Sequence, residues 1–250
     1  MENEELLRRA EDLSRRAVKT GSVTHTPFLT PAESFAVERW APRGTDCTVL
    51  LRGGGEDNER KAAFFLPDWM DADSFDVSEF ICALKIEARF GAPGHRDYMG
   101  AVLALGVQRE WVGDIQVEDD TAYLYCLPSI REHLLLNLDK VGRCGVKTRE
   151  IPLAEVPARK RALRELTFSV KSLRLDAVCA GMFGLSRTSA AEAVAGGLVA
   201  LNYAECLRPD AQVRAGDVLS LRGRGKGFVL EAGERETRKG RLFVKAGIAQ

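Results

Sequence analysis

Apolar residues recur at the spacing of one helix face near the start of the chain. Leu6, Leu7, Ala10, Leu13, Ala17 and Val18 share one side of a charged helix over residues 2–18, which ends near Gly21. Residues 25–31 read as a turn-rich connector. Thr30 then caps a second helix with Pro31 first and Glu33 third, and Phe35, Ala36 and Trp40 are expected to face inward. Short apolar runs at 47–51 and 62–66 predict two strands joined by the polar stretch RGGGEDNERK. Gly53-Gly54-Gly55 invites a phosphate-loop reading. No Gly-Lys-Ser/Thr follows and no helix begins there, so a flexible hairpin loop is the better expectation. Residues 1–78 therefore read as a small alpha-beta unit.

From Phe80 the pattern changes. CALKIEARF predicts a strand with Leu84 and Ile86 inward, HRDYMGAVLALG a helix, and WVGDIQVEDDTAYLYCL a hairpin turning at 118–120. SIREHLLLNLDKVG predicts a helix opened by Ser129, and CGVKTREI a closing strand. Strand, helix, strand, strand, helix, strand is the order of a ferredoxin-like split unit, the fold of RNA-recognition domains, placed here at 79–156. Tyr123 and Tyr125 alternate on one strand, where they either stack bases or pack against the N-terminal unit. Arg96 stands where the amides of a helix start form an anion site, beside His95, which has no serine or cysteine placed to make it a catalytic base. Lys140 to Arg143 offers a second basic candidate at a helix end.

Residues 157–172 carry Arg159, Lys160, Arg161, Arg164 and Lys171 against Glu165 alone, and read as a basic linker, either a solvated helix or an extension of a cationic surface. Beyond it, Leu173, Leu175, Val178, Met182 and Phe183 recur at helical spacing. Gly184 stops that helix, and Ser186 caps another with Ala190, Ala191, Val194 and Ala195 on its apolar side. Arg187 falls in the first turn of the second helix, where the helix dipole gives a cation nothing. Its placement points to something outside the helix. Strands are predicted at 198–201 and 218–221, and a final hairpin at 228–230 and 242–244.

The formal net charge is zero, but it is unevenly distributed. Residues 171–250 hold 13 Lys plus Arg against 8 Asp plus Glu, a net of +5, and residues 1–170 hold 23 against 28, a net of −5. A basic end suits a phosphate-rich partner. Eight basic residues against three acidic ones lie between Arg222 and Lys245. Glycines at 223, 225 and 227 would let the chain follow a nucleic-acid backbone while Arg222, Arg224 and Lys226 reach phosphates. Six scattered cysteines without a Cys-x-x-Cys pair argue against a zinc site or a disulfide framework, so buried thiols and no metal or cofactor are expected. No apolar run is long enough to span a membrane, and no signal-peptide core is visible, so a cytoplasmic protein is expected.

Residues 173–222 resemble the S4 RNA-binding domain. The resemblance is carried by Arg174-Leu175-Asp176, Ser186-Arg187 with the alanines behind it, Gly197-x-Val199, Asn202, Pro209, Val213 and Gly216-Asp217-Val218. The chain departs from that pattern at Tyr203, where glycine is usual, and at Ala195. With FLTPAE near the start and RDYMGAVLALGVQREWVGDI in the middle, the whole chain resembles the bacterial YlmH family. That resemblance implies an α+β protein in three parts: the N-terminal unit, a ferredoxin-like middle domain, and an S4 domain at 173–250 with a basic C-terminal hairpin. It also implies a non-enzymatic factor that docks on large-subunit ribosomal RNA, with peptidyl-tRNA as a further partner, in ribosome-associated quality control. Arg187 would then contact phosphate, and Asn202 would lie beside the RNA-facing loop. Arg174, Arg208, Arg222, Arg224, Lys226, Arg238, Lys239 and Arg241 complete that candidate surface. Arg96, Tyr123, Tyr125, Arg143, Arg159, Lys160 and Arg161 make a candidate second one.

Two rivals stay open. S4 domains accompany RNA-modifying enzymes, and Arg174-Leu175-Asp176 superficially resembles the catalytic stretch of pseudouridine synthases. The acidic N-terminal unit would also serve as a docking platform for a translation or division protein.

Overall fold

The computed structural model describes residues 2–41, 47–159, 163–236 and 240–249. The chain divides into two compact units, residues 1–159 and 160–250.

The first unit opens with helix α1 (Glu2–Thr20), strand β1 (Thr24–Leu29), helix α2 (Pro31–Trp40) and strands β2 (Cys47–Arg52) and β3 (Lys61–Pro67). The strands form an antiparallel sheet in the order β1-β3-β2. Helix α2 starts with a reciprocal cap, Glu33 N–H donating to Thr30 Oγ1 at 3.3 Å and Thr30 N–H to Glu33 Oε2 at 2.7 Å. Ser34 and Val37 are its buried residues, in place of the expected Phe35, Ala36 and Trp40. Strand β1 replaces the expected connector. Pro27 is tolerated because β1 lies at the sheet edge and its pairing slips between His25 and Phe28.

Strands β4 (Cys82–Ala88), β5 (Val112–Glu118), β6 (Thr121–Cys126), β7 (Lys140–Val141) and β8 (Cys144–Ile151) follow, with helix α3 (His95–Ala104) after β4 and α4 (Pro128–Asn137) after β6. Their antiparallel sheet runs β5-β6-β4-β8-β7, which puts the first and third long strands side by side at its centre. Leu84, Ile86 and Leu124 face the helices and join Tyr98, Val102 and Leu134 in a closed core. Ala83, Tyr125 and Ile151 face the other way, onto Phe28, Phe64 and Leu66 of the three-stranded sheet. Residues 1–78 and 79–156 thus share one core. Helix α4 starts at Pro128 rather than at Ser129, because proline suits a first helical position. It also ends earlier than expected, and Lys140-Val141 pairs with Cys144-Gly145 as a hairpin.

The second unit contains β9 (Leu163–Val170), helices α5 (Leu175–Phe183) and α6 (Arg187–Ala195), and strands β10 (Val199–Leu201), β11 (Ala204–Glu205), β12 (Val218–Leu221), β13 (Gly225–Glu236) and β14 (Leu242–Ala249). Its sheet order is β11-β10-β12-β13-β14-β9, antiparallel throughout. The helix pair covers one face of this curled sheet, through a core that includes Leu175, Val178, Met182, Ala190, Val194, Leu219 and Val244. This α+β arrangement is S4-like. Gly184 ends α5 in the left-handed conformation at φ 65°, and Ser186 Oγ accepts from Ser189 N–H at 3.0 Å to start α6. Ala195, expected on the apolar side of α6, is exposed.

Residues 163–170, read from sequence as linker, pair with β14 along the whole strand from Leu163 to Val170. Leu166, Phe168 and Val170 pack onto the core from every second position. Surrounding basic residues conceal that alternation in the sequence.

Cys47, Cys82, Cys126 and Cys179 are buried, while Cys144 and Cys206 are half-buried. Among the described residues, no helix is long and apolar enough to cross a membrane.

Candidate nucleic-acid interface

The start of α5 organises the basic residues of the second unit. Asp176, only 5% exposed, sits in the first turn of that helix. Arg174 Nε and Nη2 donate to its two oxygens at 3.3 and 3.1 Å, and Arg187 Nη2, from the first turn of α6, donates to Oδ1 at 3.0 Å. Burial alone would raise the Asp176 carboxyl, but the hydrogen bonds and positive charge of the two arginines outweigh it and hold the group below the usual carboxylate range. The arginine side chains remain 41% and 52% exposed, so their outer donors reach solvent. A buried anion thus fixes two cations that face outward. Arg208 adds an exposed charge from the neighbouring loop, whose Ala211 and Pro209 carbonyls accept the N–H groups of Leu175 and Asp176 at 2.7 and 3.0 Å.

This geometry bears on the enzyme rival. The aspartate of Arg174-Leu175-Asp176 is buried and accepts hydrogen bonds on both oxygens, which suits it to hold arginines rather than to attack a base.

Asn202 is committed to the fold. Its Nδ2 donates to Asp217 Oδ1 at 2.8 Å, and its Oδ1 accepts from Val218 N–H at 2.9 Å. Asn202 and Tyr203 both take positive φ, 52° and 67°, at the turn between β10 and β11. The turn keeps a left-handed shape despite the tyrosine in the usual glycine position.

Arg224 and Lys226 of the 222–226 run turn to different partners. Arg222 is exposed, Arg224 Nη1 donates to the Phe183 carbonyl at the end of α5 at 3.1 Å, and Lys226 Nζ lies 5.3 Å from the Tyr203 ring centroid. Alternation along β13 turns Lys226 away from the helix-covered face, where its neighbour Gly227 packs. A Cβ at Gly227 would lie 2.3 Å from Met182 Sδ, so this glycine makes room for the core rather than for a nucleic-acid backbone. Arg241 turns back onto β9, with Nε donating to Ser169 Oγ at 3.1 Å and Nη2 to the Ser169 carbonyl. Arg238 and Lys239, together with Lys160 and Arg161, lie outside the described residues.

Residues 72–155 match the family model described as "Putative RNA-binding domain in YlmH". The "Ribosome-associated protein quality control protein P2" of Bacillus subtilis (strain 168) is 30% identical over 203 residues, which span 80% of this chain and 78% of the relative. The chain belongs to the YlmH family of RNA-binding proteins. Among solved structures, "Cell division protein ylmH from Streptococcus pneumoniae" is 20% identical with a TM-score of 0.49, covering 62% of this chain and 94% of that one.

The matched segment holds most of the second candidate surface, and the structure separates its members. Tyr125 is 3% exposed in the core shared with the three-stranded sheet, so of the two sequence readings it takes packing over stacking. Tyr123 is half-buried against the same core. The start of α3 is already occupied, because Asp97 Oδ2 accepts from Gly94 N–H at 2.8 Å; Arg96 is exposed beside a carboxylate of its own chain. Arg143 is exposed in the turn between β7 and β8, and Arg159 lies 3.7 Å from Asp114 Oδ2.

Asp114 was not among the residues that sequence reasoning singled out. It accepts from the backbone N–H groups of Glu59 and Arg60 at 2.7 and 3.2 Å, while Arg60 Nη2 donates to the Phe28 carbonyl at 2.8 Å. The glycine-rich 53–60 loop, expected to be flexible, is thereby fastened to β5. Burial, with neighbouring Arg60, lowers the Arg109 guanidinium to about 10 beside this staple, against a smaller opposing effect of Asp114. Nothing in the sequence near Asp114 signals a pairing across 55 positions.

Proposed function

We propose that this chain is a non-enzymatic RNA-binding factor of ribosome-associated protein quality control, which docks on large-subunit ribosomal RNA through its second unit and touches tRNA from there. The observation that carries the reading is the Asp176-centred pair of outward-facing arginines at the starts of α5 and α6. Folded RNA is read mainly through phosphate positions and shape, and fixed guanidiniums suit that task because each presents several donors in a rigid fork. The net charge of +5 over residues 171–250 supports the same partner, and the Bacillus subtilis relative is named for its association with the ribosome.

The first unit has the opposite charge, and the sheet face that RNA-recognition folds use for stacking is covered in it by β1 and β3. Although residues 72–155 match the model of a putative RNA-binding domain, that covered face leads us to assign the first unit a supporting role in RNA binding.

Filter binding of the full chain to large-subunit RNA tests the reading. Substituting Arg187→Gln together with Arg208→Gln is expected to weaken binding about tenfold or more at physiological salt. Equal affinity of this variant and the unaltered protein would refute the assignment of the surface.

A further inference from the structure

A groove of about 430 Å³ opens on the second unit between the outer edge of β9 and the face of α5. Phe168, Ala180 and Leu185 give it an apolar floor, and Lys171, Arg187 and Arg241 stand at its rim. Its described lining contains no carboxylate. The volume lies within the range of about 300–1,000 Å³ typical of small-molecule sites. A bare phosphate would leave the apolar floor unused, and an apolar ligand would make no use of the positive rim. A nucleotide has both a ring to bury and a phosphate to pair.

Two of the cations are already oriented. Asp176 holds Arg187, and Ser169 holds Arg241 through its hydroxyl and carbonyl oxygens. A side chain fixed by its own fold loses less freedom when a ligand arrives. The floor depends on Gly181, because a Cβ there would come within 2.2 Å of the Phe168 ring. Without a side chain at 181, the ring rests against the helix backbone and stays half-buried beside the groove.

We propose that this groove receives one unpaired nucleotide of the bound RNA, with the base on Phe168, Ala180 and Leu185 and the adjoining phosphates on Lys171, Arg187 and Arg241. The inference rests on the RNA-binding reading above and adds a shape to the ligand: a stem interrupted by an extrahelical nucleotide. Arg187 links the two sites, since it belongs both to the Asp176 cluster and to the groove rim.

The test uses the full chain and two RNA hairpins that differ only by one unpaired adenosine in the stem, with 2-aminopurine at that position in a parallel set. The unaltered protein is expected to bind the bulged hairpin about tenfold more tightly than the paired one. Ala180→Leu fills the floor and is expected to bind both hairpins at the affinity of the paired one, without the change in 2-aminopurine emission seen with the unaltered protein. Lys171→Gln changes an exposed rim charge without altering packing, and is expected to narrow the same gap. Equal binding of the two hairpins by the unaltered protein, or a preference that both variants keep in full, would overturn the groove assignment while leaving RNA binding intact. Failure of the unaltered protein to bind the bulged hairpin while it binds large-subunit RNA would overturn the groove alone; failure to bind large-subunit RNA as well would overturn the RNA-binding reading, and the groove with it.

Discussion

Arg187 in the first turn of α6 donates to Asp176 in the first turn of α5 across 3.0 Å, so one buried carboxylate fixes the starts of both helices that carry the candidate RNA surface. Charge burial and ligand binding are linked at this point. The arginines neutralise the buried aspartate, and the aspartate keeps the arginines in place.

The first prediction concerns acid. The folded Asp176 carboxyl lies below its ordinary value of 3.8, because Arg174 and Arg187 more than reverse the upward effect of burial. Its stabilising contribution is therefore complete above about pH 4 and is lost as pH falls through the folded value. Asp176→Asn is expected to cost roughly 1–2 kcal/mol at neutral pH, a figure kept low because both arginines are half-exposed. Urea denaturation across a pH series checks this. The difference between variant and unaltered protein should shrink only in acid, and a constant difference down to low pH would contradict the linkage.

Salt dependence separates phosphate contact from scaffold. Arg187→Gln is expected to reduce the slope of log affinity against log salt by about one, whereas Asn202→Ala should act chiefly on stability because its amide is engaged within the fold. Binding isotherms at several salt concentrations give the slopes directly. An unchanged slope for Arg187→Gln would place its guanidinium off the RNA.

Two glycines of the second unit should respond unequally to alanine. Helix propensity favours Gly181→Ala by about 1 kcal/mol, but the added carbon would press into the Phe168 ring, and overpacking of this kind costs about 1–3 kcal/mol. A net loss of stability is expected. Gly227→Ala meets the flexible end of Met182, so its cost should be the smaller. Thermal unfolding of the two variants decides the order.

In the first unit, Asp114→Ala removes the acceptor for the Glu59 and Arg60 amides. A loss of about 1–3 kcal/mol is expected for leaving such donors unmatched. Hydrogen exchange should accelerate at both amides. Affinity for RNA through the second unit should not change, and a parallel loss there would show that the first unit contributes to binding.

Local signals in the sequence carried much of the fold. Thr30, Pro31 and Glu33 announced α2, Gly184 and Ser186 marked the break between α5 and α6, and the alternation around Leu84 and Ile86 defined a central strand. Features that depend on distant pairing were hidden. Strand β9 gains its identity from β14, about 80 positions away, and its basic neighbours made it read as linker. Pro27 disguised β1, whose edge position makes proline harmless. Candidate site residues were visible as residue types, but their directions were not. Its place in a first helical turn pointed to Arg187, and the resemblance to S4 domains to Arg174, yet only the fold brings them onto Asp176. The same fold turns Arg224 onto the end of α5, Lys226 onto Tyr203 and Tyr125 into the core.

The most direct test of the central claim is sedimentation of the full chain with ribosomal subunits from lysate, in low and high salt, beside the Arg187→Gln, Arg208→Gln variant. Co-migration of the unaltered protein with the large subunit, released by salt and lost in the variant, is the predicted result. A variant that sediments with the large subunit as the unaltered protein does, at every salt concentration, would contradict it.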